Sequence, residues 1–493
     1  MDTTTIDIRD VDYELEVTRP VWLPYNDTSK RIAASLVADF GYPTHGPKAS
    51  KYEVVLASLL KAAQQHLKSV NSRRPHYIGI QRRASAWSRY PMVGRTISNK
   101  VIEDFLALYN GKRVEGSGTS GLHKDEHGKW ATEPKMSMYT LDLTRLPKTL
   151  LLARFVEAGR PPIKVNKAET RQQKDKRGAS KLSKPFLNDK AASLLDAEAF
   201  TSSQSRIHRL NDYYLEHPLE LPNGHASASV TRVFHDGRLD SGGRLYGAWT
   251  GLDQKEQRLH CKIDGEPIVE IDIRASQPTL LSSLLGYRLG GLGPNETWSD
   301  VYGQLSGLVN EVHDWTRLDS KIDKLELIKR NRDVAKAVVM ALIGTGISLK
   351  SKATPEIVQK FGLTVDGWSR FRDQLLKTVP ALQELEPRYD TKGQLSGYIN
   401  GAGYLSYHES EMTLRTLEHL IDQDIPSYSV HDSLIVKVSD AKVAAWTFRQ
   451  TIHDYCESLS GLKVLVPLSL TMKPDMSGNK LPTDDDLTGM YLD

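Results

Sequence analysis

Two aspartates set the chemical question. Asp272 stands near the end of a strand-like run, PIVEIDI, and Asp432 follows His431 inside SYSVHDSLIVKVSD. Carboxylates facing one another from neighbouring strands repel, and hard divalent cations relieve that repulsion by taking their oxygens as ligands. Between the two in the chain lies KRNRDVAKAVVMALIGTG, where Arg332, Lys336 and Met340 recur at four-residue spacing. Like charges four apart on a helix oppose each other by about 0.2–0.5 kcal/mol, so an anion over Arg332 and Lys336 would relieve the strain on that face. Upstream, RLDSGGRLYGAW groups Asp240, Gly243, Arg244 and Tyr246. Gly-Gly before Arg suits a close backbone approach with a guanidinium fixed beyond it. Each stretch also has a plainer reading: a turn-forming Asp, a surface acid on an edge strand (which Glu270 suits as well), a solvated basic face, a glycine turn.

The elements that must hold these residues follow from local pattern. Val269, Ile271 and Ile273 alternate with Ile268, Glu270 and Asp272, which predicts a strand ending near the acid. Ser276 then suits a helix cap and Pro278 a first turn. Val334, Val338 and Leu342 form an apolar stripe roughly opposite Arg332 and Lys336, so that segment reads as a helix with a core side and a basic side. Tyr428 and Val430 before the bend, with Leu434, Ile435, Val436 and Val438 after it, predict a hairpin bent at His431, Asp432 and Ser433. Leu414, Leu417, Leu420 and Ile421 predict a helix behind that hairpin. VLVPLSLTM adds a strand, and SGNKLPTDDDLTG reads as an exposed tail.

Composition limits the rest. The chain has 493 residues, 39% hydrophobic and 26% charged, with a formal net charge of +4, as an ordinary globular protein of several domains would. Cys261 and Cys456 are too few for a disulfide framework or a cysteine-rich zinc site, which points to a reducing compartment and a cytoplasmic location. The acidic N-terminus has no apolar core of a signal peptide, and no run reaches the length of a membrane span.

The N-terminal half has its own pattern. Tyr52, Val55, Leu56, Leu59 and Leu60 predict one helix; Ile97, Ile102, Phe105 and Leu108 predict another, opened by Ser98 or Asn99. RVEGSGTSGLHKDEHGKWATEPKMSMYTLDL follows, with strand-like ends around a Gly-rich tip. Helices followed by a hairpin resemble a winged-helix domain, with Arg82, Arg83, Arg89 and Arg95 near the helix that would meet DNA. GSGTSG is a wing tip and not a phosphate-binding loop, lacking the Gly-Lys-Ser/Thr and helix that would follow. From Arg160 to Lys184 the chain is rich in Lys and Arg, including Lys174, Lys176 and Arg177. This is a solvated tether or a phosphate-contacting arm. Asn188 to Leu221 reads as helical.

The order of these stretches, Asp-x-x-Gly-Arg, a strand ending in Asp, Arg-x-x-x-Lys on a helix and His-Asp in a hairpin, resembles the motif series of a polymerase superfamily. Its members are the family-A DNA polymerases and the single-subunit phage and mitochondrial RNA polymerases. The likeness covers roughly residues 230–438. It implies an α/β right-hand polymerase core of palm, fingers and thumb behind an N-terminal winged-helix-like domain. The implied division is an N-terminal segment 1–50, winged helix 51–147, basic arm 148–185, thumb 186–226, palm 227–285, fingers 286–395 and a second palm part with tail 396–493.

The resemblance also implies roles. Asp272 and Asp432 are the metal ligands, joined by the backbone carbonyl of Ile273, with two Mg²⁺ ions as cofactor and Mn²⁺ as a substitute. Arg332 and Lys336 hold a triphosphate, Lys336 also donating a proton; His431 positions the primer end or the hairpin rather than ligating metal. Ser276, Gln277 and Met340 line the nucleotide, while Asp240, Arg244 and Tyr246 meet nucleic acid. Partners are a DNA template, a nascent RNA or DNA strand and nucleoside triphosphates, with no membrane. Ser276, Met340 and the HDS of the hairpin lean toward the RNA polymerase branch, and Gln277 stands where the DNA enzymes carry a ribose-excluding glutamate. Gly344 stands where a tyrosine usually helps judge the sugar, which keeps a DNA polymerase reading open. An RNA polymerase or primase of a phage, plasmid or other mobile element is the leading expectation. Template-independent nucleotidyl transfer is a second. A winged-helix DNA-binding initiator or regulator on an inactive polymerase-like scaffold is a third.

Overall fold

A computed structural model describes residues 14–17, 22–46, 48–68, 76–80, 93, 95–114, 122–124, 130–132, 137–157, 161–169, 172–173, 176, 185–222, 226–287, 302, 324–345, 365–384, 387–389, 395–398, 401–463 and 466–473. The chain is mixed α/β and folds as two units, one of residues 1–161 with 214–230 and one of 162–213 with 231–493. No helix of the described residues is long and apolar enough to cross a membrane.

In the first unit the helix Ala49–Lys68 buries Val55, Leu56, Leu59 and Leu60, as their spacing predicts. It packs against the helix Arg95–Leu108, which buries Ile102 and Phe105. That second helix opens at Arg95, earlier than the expected Ser98 or Asn99, and Ser98 is buried within it. Lys112–Arg113 pairs antiparallel with Ser137–Thr140, closing the base of the expected hairpin. Ser137–Thr140 also pairs with His76–Ile80, which in turn lies parallel to Glu14–Val17. The Gly-rich tip at 116–121 lies outside the described residues, as do Arg82, Arg83 and Arg89.

The second unit carries the motifs. Its elements are β1 (Gly242–Tyr246), β2 (Glu266–Ile273), α1 (Ser276–Leu284), α2 (Lys324–Thr345), α3 (Gly401–Ile421), β3 (Ser427–Val430), β4 (Ser433–Lys437) and β5 (Leu468–Met472). The strands β3, β4, β2 and β5 lie in that order, each antiparallel to the next. Strand β2 is therefore internal. Ile268 on one face and Val269 and Ile271 on the other are fully buried, so both faces of β2 are covered. Strand β5 forms where VLVPLSLTM predicted one. The tail beyond it lies outside the described residues.

Helix α3 packs against β1, β3 and α2, with Leu414, Leu417 and Leu420 buried. Helix α2 buries Val334, Val338 and Leu342 and exposes Lys336, so its two faces separate as their spacing predicts. Three local readings change. Ile163–Val165, inside the basic stretch read as an arm, is a strand parallel to Thr231–Phe234, because Ile163 and Val165 alternate and are buried. The segment 188–221 breaks into the helices Asp189–Ser193 and Ala197–Glu216 and then the strand Leu219–Glu220. Ser276 is the first residue of α1 and not its cap: Ala275 holds the cap position in the left-handed region, φ 49°, and makes no side-chain capping bond.

Candidate active site

The antiparallel register of β2 and β4 places Asp272 opposite Ser433, the residue after Asp432. Val430 pairs with Ser433, so His431 and Asp432 alone form the turn, and Ser433 belongs to the strand rather than the bend. His431 has φ 59° while Asp432 does not have a positive φ, the sign pattern of a II′ hairpin turn. The turn thus delivers Asp432 to the end of β2 where Asp272 emerges.

The two acids feel each other. Burial, and then the charges of Asp432 and Glu270, push the Asp272 carboxyl up to about 7, while Lys336 and the Ile273 amide pull it back. Lys336 of α2 is therefore within electrostatic reach of the aspartate. Arg332, one turn earlier, stands over the ring of Tyr302 at 5.6 Å, and the Tyr302 hydroxyl lies 4.0 Å from Met340 Sδ. Arg332 and Met340 of α2 therefore share one aromatic neighbour. Ile273 is the last residue of β2, paired with Leu468.

Glu409 of α3 escaped the sequence reading and is the most buried acid here, its side chain 0% exposed. Arg244 Nε donates to Glu409 Oε1 at 2.7 Å and Ser276 Oγ to Glu409 Oε2 at 3.3 Å. Burial and the charge of Asp432 push Glu409 up to about 7 against the pull of Arg244. Burial works against the charge on Arg244, but Glu409 and Asp432 outweigh it and raise the guanidinium further. Arg244, Glu409, Ser276 and Asp432 therefore form one electrostatic cluster at the Asp272 end of the sheet. The signal for Glu409 was HESE, a pair of acids two apart on the predicted helix before the hairpin.

Tyr246 packs edge-on to His431 with ring centroids 5.5 Å apart. Burial and then Arg244 lower the His431 pKa, so the imidazole is neutral near pH 7, and its Nδ1 is buried without a partner among the described residues. Thr413 Oγ1 lies 2.9 Å from the Glu409 carbonyl and 3.4 Å from that of His431, linking the turn to α3. The glycines before Arg244 take φ 83° and 82°, and a Cβ on Gly243 would stand 2.9 Å from Ser410 Oγ. The close approach read from Gly-Gly-Arg is real, and what approaches is α3.

Other positions sit apart from this cluster or differ from expectation. Asp240 is an exposed turn residue paired with Arg238 at 2.6 Å. Glu270 is not a surface acid: it is 3% exposed on an internal strand, and Arg258 grips both its oxygens at 2.9 and 3.0 Å. Gln277 is buried with Oε1 unpartnered among the described residues. Arg95 opens its helix in the first unit, Lys176 is exposed, and Lys174 and Arg177 lie outside the described residues.

No family model matches the chain, and no curated protein matches it. Among solved structures it is similar to the POL domain of Pol1 from M. smegmatis, in complex with DNA primer-template and dNTP, with a TM-score of 0.32 and 13% identity. The similarity covers 62% of this chain and 57% of that one, so the chain spans less than two thirds of that neighbour's length.

The donor set suits a hard cation. Asp272 and Asp432 offer oxygen only, their like charges oppose each other between the end of β2 and the β3–β4 turn, and Glu409 adds a third acid whose charge Arg244 offsets. A group needing nitrogen or sulfur ligands finds no support in these three side chains.

Proposed function

We propose that the protein is a metal-dependent nucleotidyltransferase that extends a nucleic acid chain on a DNA template. The reading favours ribonucleoside triphosphates, as a compact single-subunit RNA polymerase or primase uses. The observation that supports it is the electrostatic coupling of Asp272, near the end of β2, with Asp432 in the adjoining β3–β4 turn and with Lys336 of α2. Asp272 and Asp432 would hold two Mg²⁺ ions, or Mn²⁺ in their place. Such ions supply Lewis acidity to the attacking 3′ oxygen and the leaving pyrophosphate, both of which gather negative charge.

The chain's own residues do the rest. Lys336 and Arg332 clamp the triphosphate and set its charge against a fixed cationic face, with Lys336 donating a proton to the leaving pyrophosphate. Arg244, held by Glu409, aims a guanidinium toward Asp432 and fixes the end of the growing strand. Tyr246 and the neutral His431 give that end an aromatic wall. Gln277 and Ser276 flank the nucleotide from the start of α1.

Nucleotide incorporation on a defined single-stranded DNA tests the reading, with and without a primer and with rNTPs or dNTPs supplied separately. Metal-dependent synthesis from rNTPs that is lost in Asp432→Asn is the expected result. Synthesis from dNTPs alone reverses the sugar preference. Homopolymer templates whose products ignore template composition make the enzyme a terminal transferase. Wild type and variant behaving alike would leave a DNA-binding role on an inactive scaffold.

A further inference from the structure

Beneath the proposed reacting centre lies a buried charged contact that the chemistry above does not use. Arg258 comes from a short 3₁₀ turn, Arg258–His260, and its side chain is 10% exposed. Its Nε and Nη2 grip Glu270 Oε2 and Oε1 at 2.9 and 3.0 Å, and its Nη1 donates to the carbonyl of Leu252 at 2.7 Å. Ser433 Oγ lies 3.1 Å from Glu270 Oε1 and 3.0 Å from the Val430 carbonyl, so its one proton is shared between them.

These contacts occupy particular places. Glu270 precedes Asp272 by two residues on β2, so the two carboxylates leave the same face of the strand. Ser433 follows Asp432 directly, and Val430 and Ser433 are the two residues that bracket the His431–Asp432 turn. We infer that Arg258, Glu270 and Ser433 form a buried latch that sets the relative position of the two backbone segments carrying Asp272 and Asp432. Arg258 has a second task. A third uncompensated carboxylate beside two others would spread them apart, and a bidentate guanidinium cancels it where a lysine ammonium, a point charge, would not fix its plane. The three are positioning residues, acting through the aspartates.

The inference rests on Asp272 and Asp432 as the metal-holding pair, and its test includes a measurement that does not need turnover. Mn²⁺ binding by titration calorimetry and nucleotide incorporation are measured on the full chain for wild type, Ser433→Ala, Arg258→Lys and the double variant Arg258→Met with Glu270→Met. The double variant replaces the buried pair by apolar side chains of similar size, a change that commonly leaves stability intact. Thermal unfolding therefore separates folding from positioning. Expected are near-native unfolding for Ser433→Ala and the double variant, with Mn²⁺ binding and kcat each weakened roughly tenfold. The nucleotide KM should stay within about twofold of wild type in both. Arg258→Lys should fall between them and wild type.

Folded Ser433→Ala and double variants that bind Mn²⁺ and turn over as wild type overturn the latch. If the double variant fails to fold, Ser433→Ala and Arg258→Lys decide by the same comparison. A wild type that binds Mn²⁺ without incorporating nucleotide removes the polymerase reading, while weaker binding in Ser433→Ala still supports the latch.

Discussion

Asp272 stands opposite Ser433 in the antiparallel register of two adjacent strands, one residue from Asp432. That register decides the chemistry open to the site. A slip by one residue would turn Asp272 to the other face of the sheet and dissolve the pair.

Asp432→Asn removes one member of a repelling pair, so function and stability should move apart. Incorporation should fall by on the order of 10²–10³-fold, while metal-free unfolding occurs at the same temperature or higher. Primer extension and a thermal melt on the same preparation check both. Normal extension by the variant would take Asp432 out of the chemistry.

The same crowding sets a pH dependence. Asp272 and Glu409 both titrate near 7 in the folded metal-free protein, mainly through burial, against about 4 in an unfolded chain. Between about pH 4 and 7 the native state binds more protons than the unfolded one, so stability falls as pH rises through that window and levels off above it. Glu411 works the other way: burial raises it, but Arg232 and Arg206 outweigh that and hold it at about 2, so its contribution is lost only at lower pH. Urea midpoints in chelator should therefore be higher at pH 5 than at pH 8. In Asp272→Asn with Glu409→Gln the difference should shrink.

Glu409 and Arg244 test a buried ion pair with one wet end. Glu409→Ala strands the guanidinium and should lose about 2 kcal/mol in denaturant titration, below the cost of breaking a fully buried pair because Arg244 is 22% exposed. Glu409→Gln keeps an acceptor for Arg244 and should lose less than half of that. Equal losses for the two would mean that packing, not the pair, sets the cost.

Gly243 carries a backbone constraint. Gly243→Ala places a Cβ at φ 82°, 2.9 Å from Ser410 Oγ, 3.1 Å from the Phe234 ring and 3.2 Å from Arg232 Nε. Left-handed strain and overpacking together should cost about 2–4 kcal/mol by urea unfolding. A near-neutral variant would show that β1 and α3 can separate at little cost.

Many of the elements around the candidate site were legible because the relevant patterns are local. Alternation in VEIDI marks a strand whatever lies beside it. The stripe of Val334, Val338 and Leu342 marks which face of α2 meets the core and leaves Lys336 outside. A His-Asp pair between two strand-forming runs marks a turn. Glu270 was misread for the opposite reason. Alternation names the face of a strand but not its neighbours, and only strands on both flanks make β2 internal and its acid buried. Ser276 was taken for a cap because its helix follows at once, yet its hydroxyl bonds an acid far along the chain.

The sequence by itself determined which residues could carry charge, where helices and strands begin to form, and in what order the charged stretches follow one another. Periodicity and turn preference act over a few residues, so a linear reading captures them. The tertiary structure alone decided that Glu409 reaches Arg244, that Arg258 neutralises Glu270, and that Ser433 stands opposite Asp272. These are meetings between segments distant in the chain. They depend on strand register and helix packing, which are set by the whole core at once and leave no mark on any single stretch.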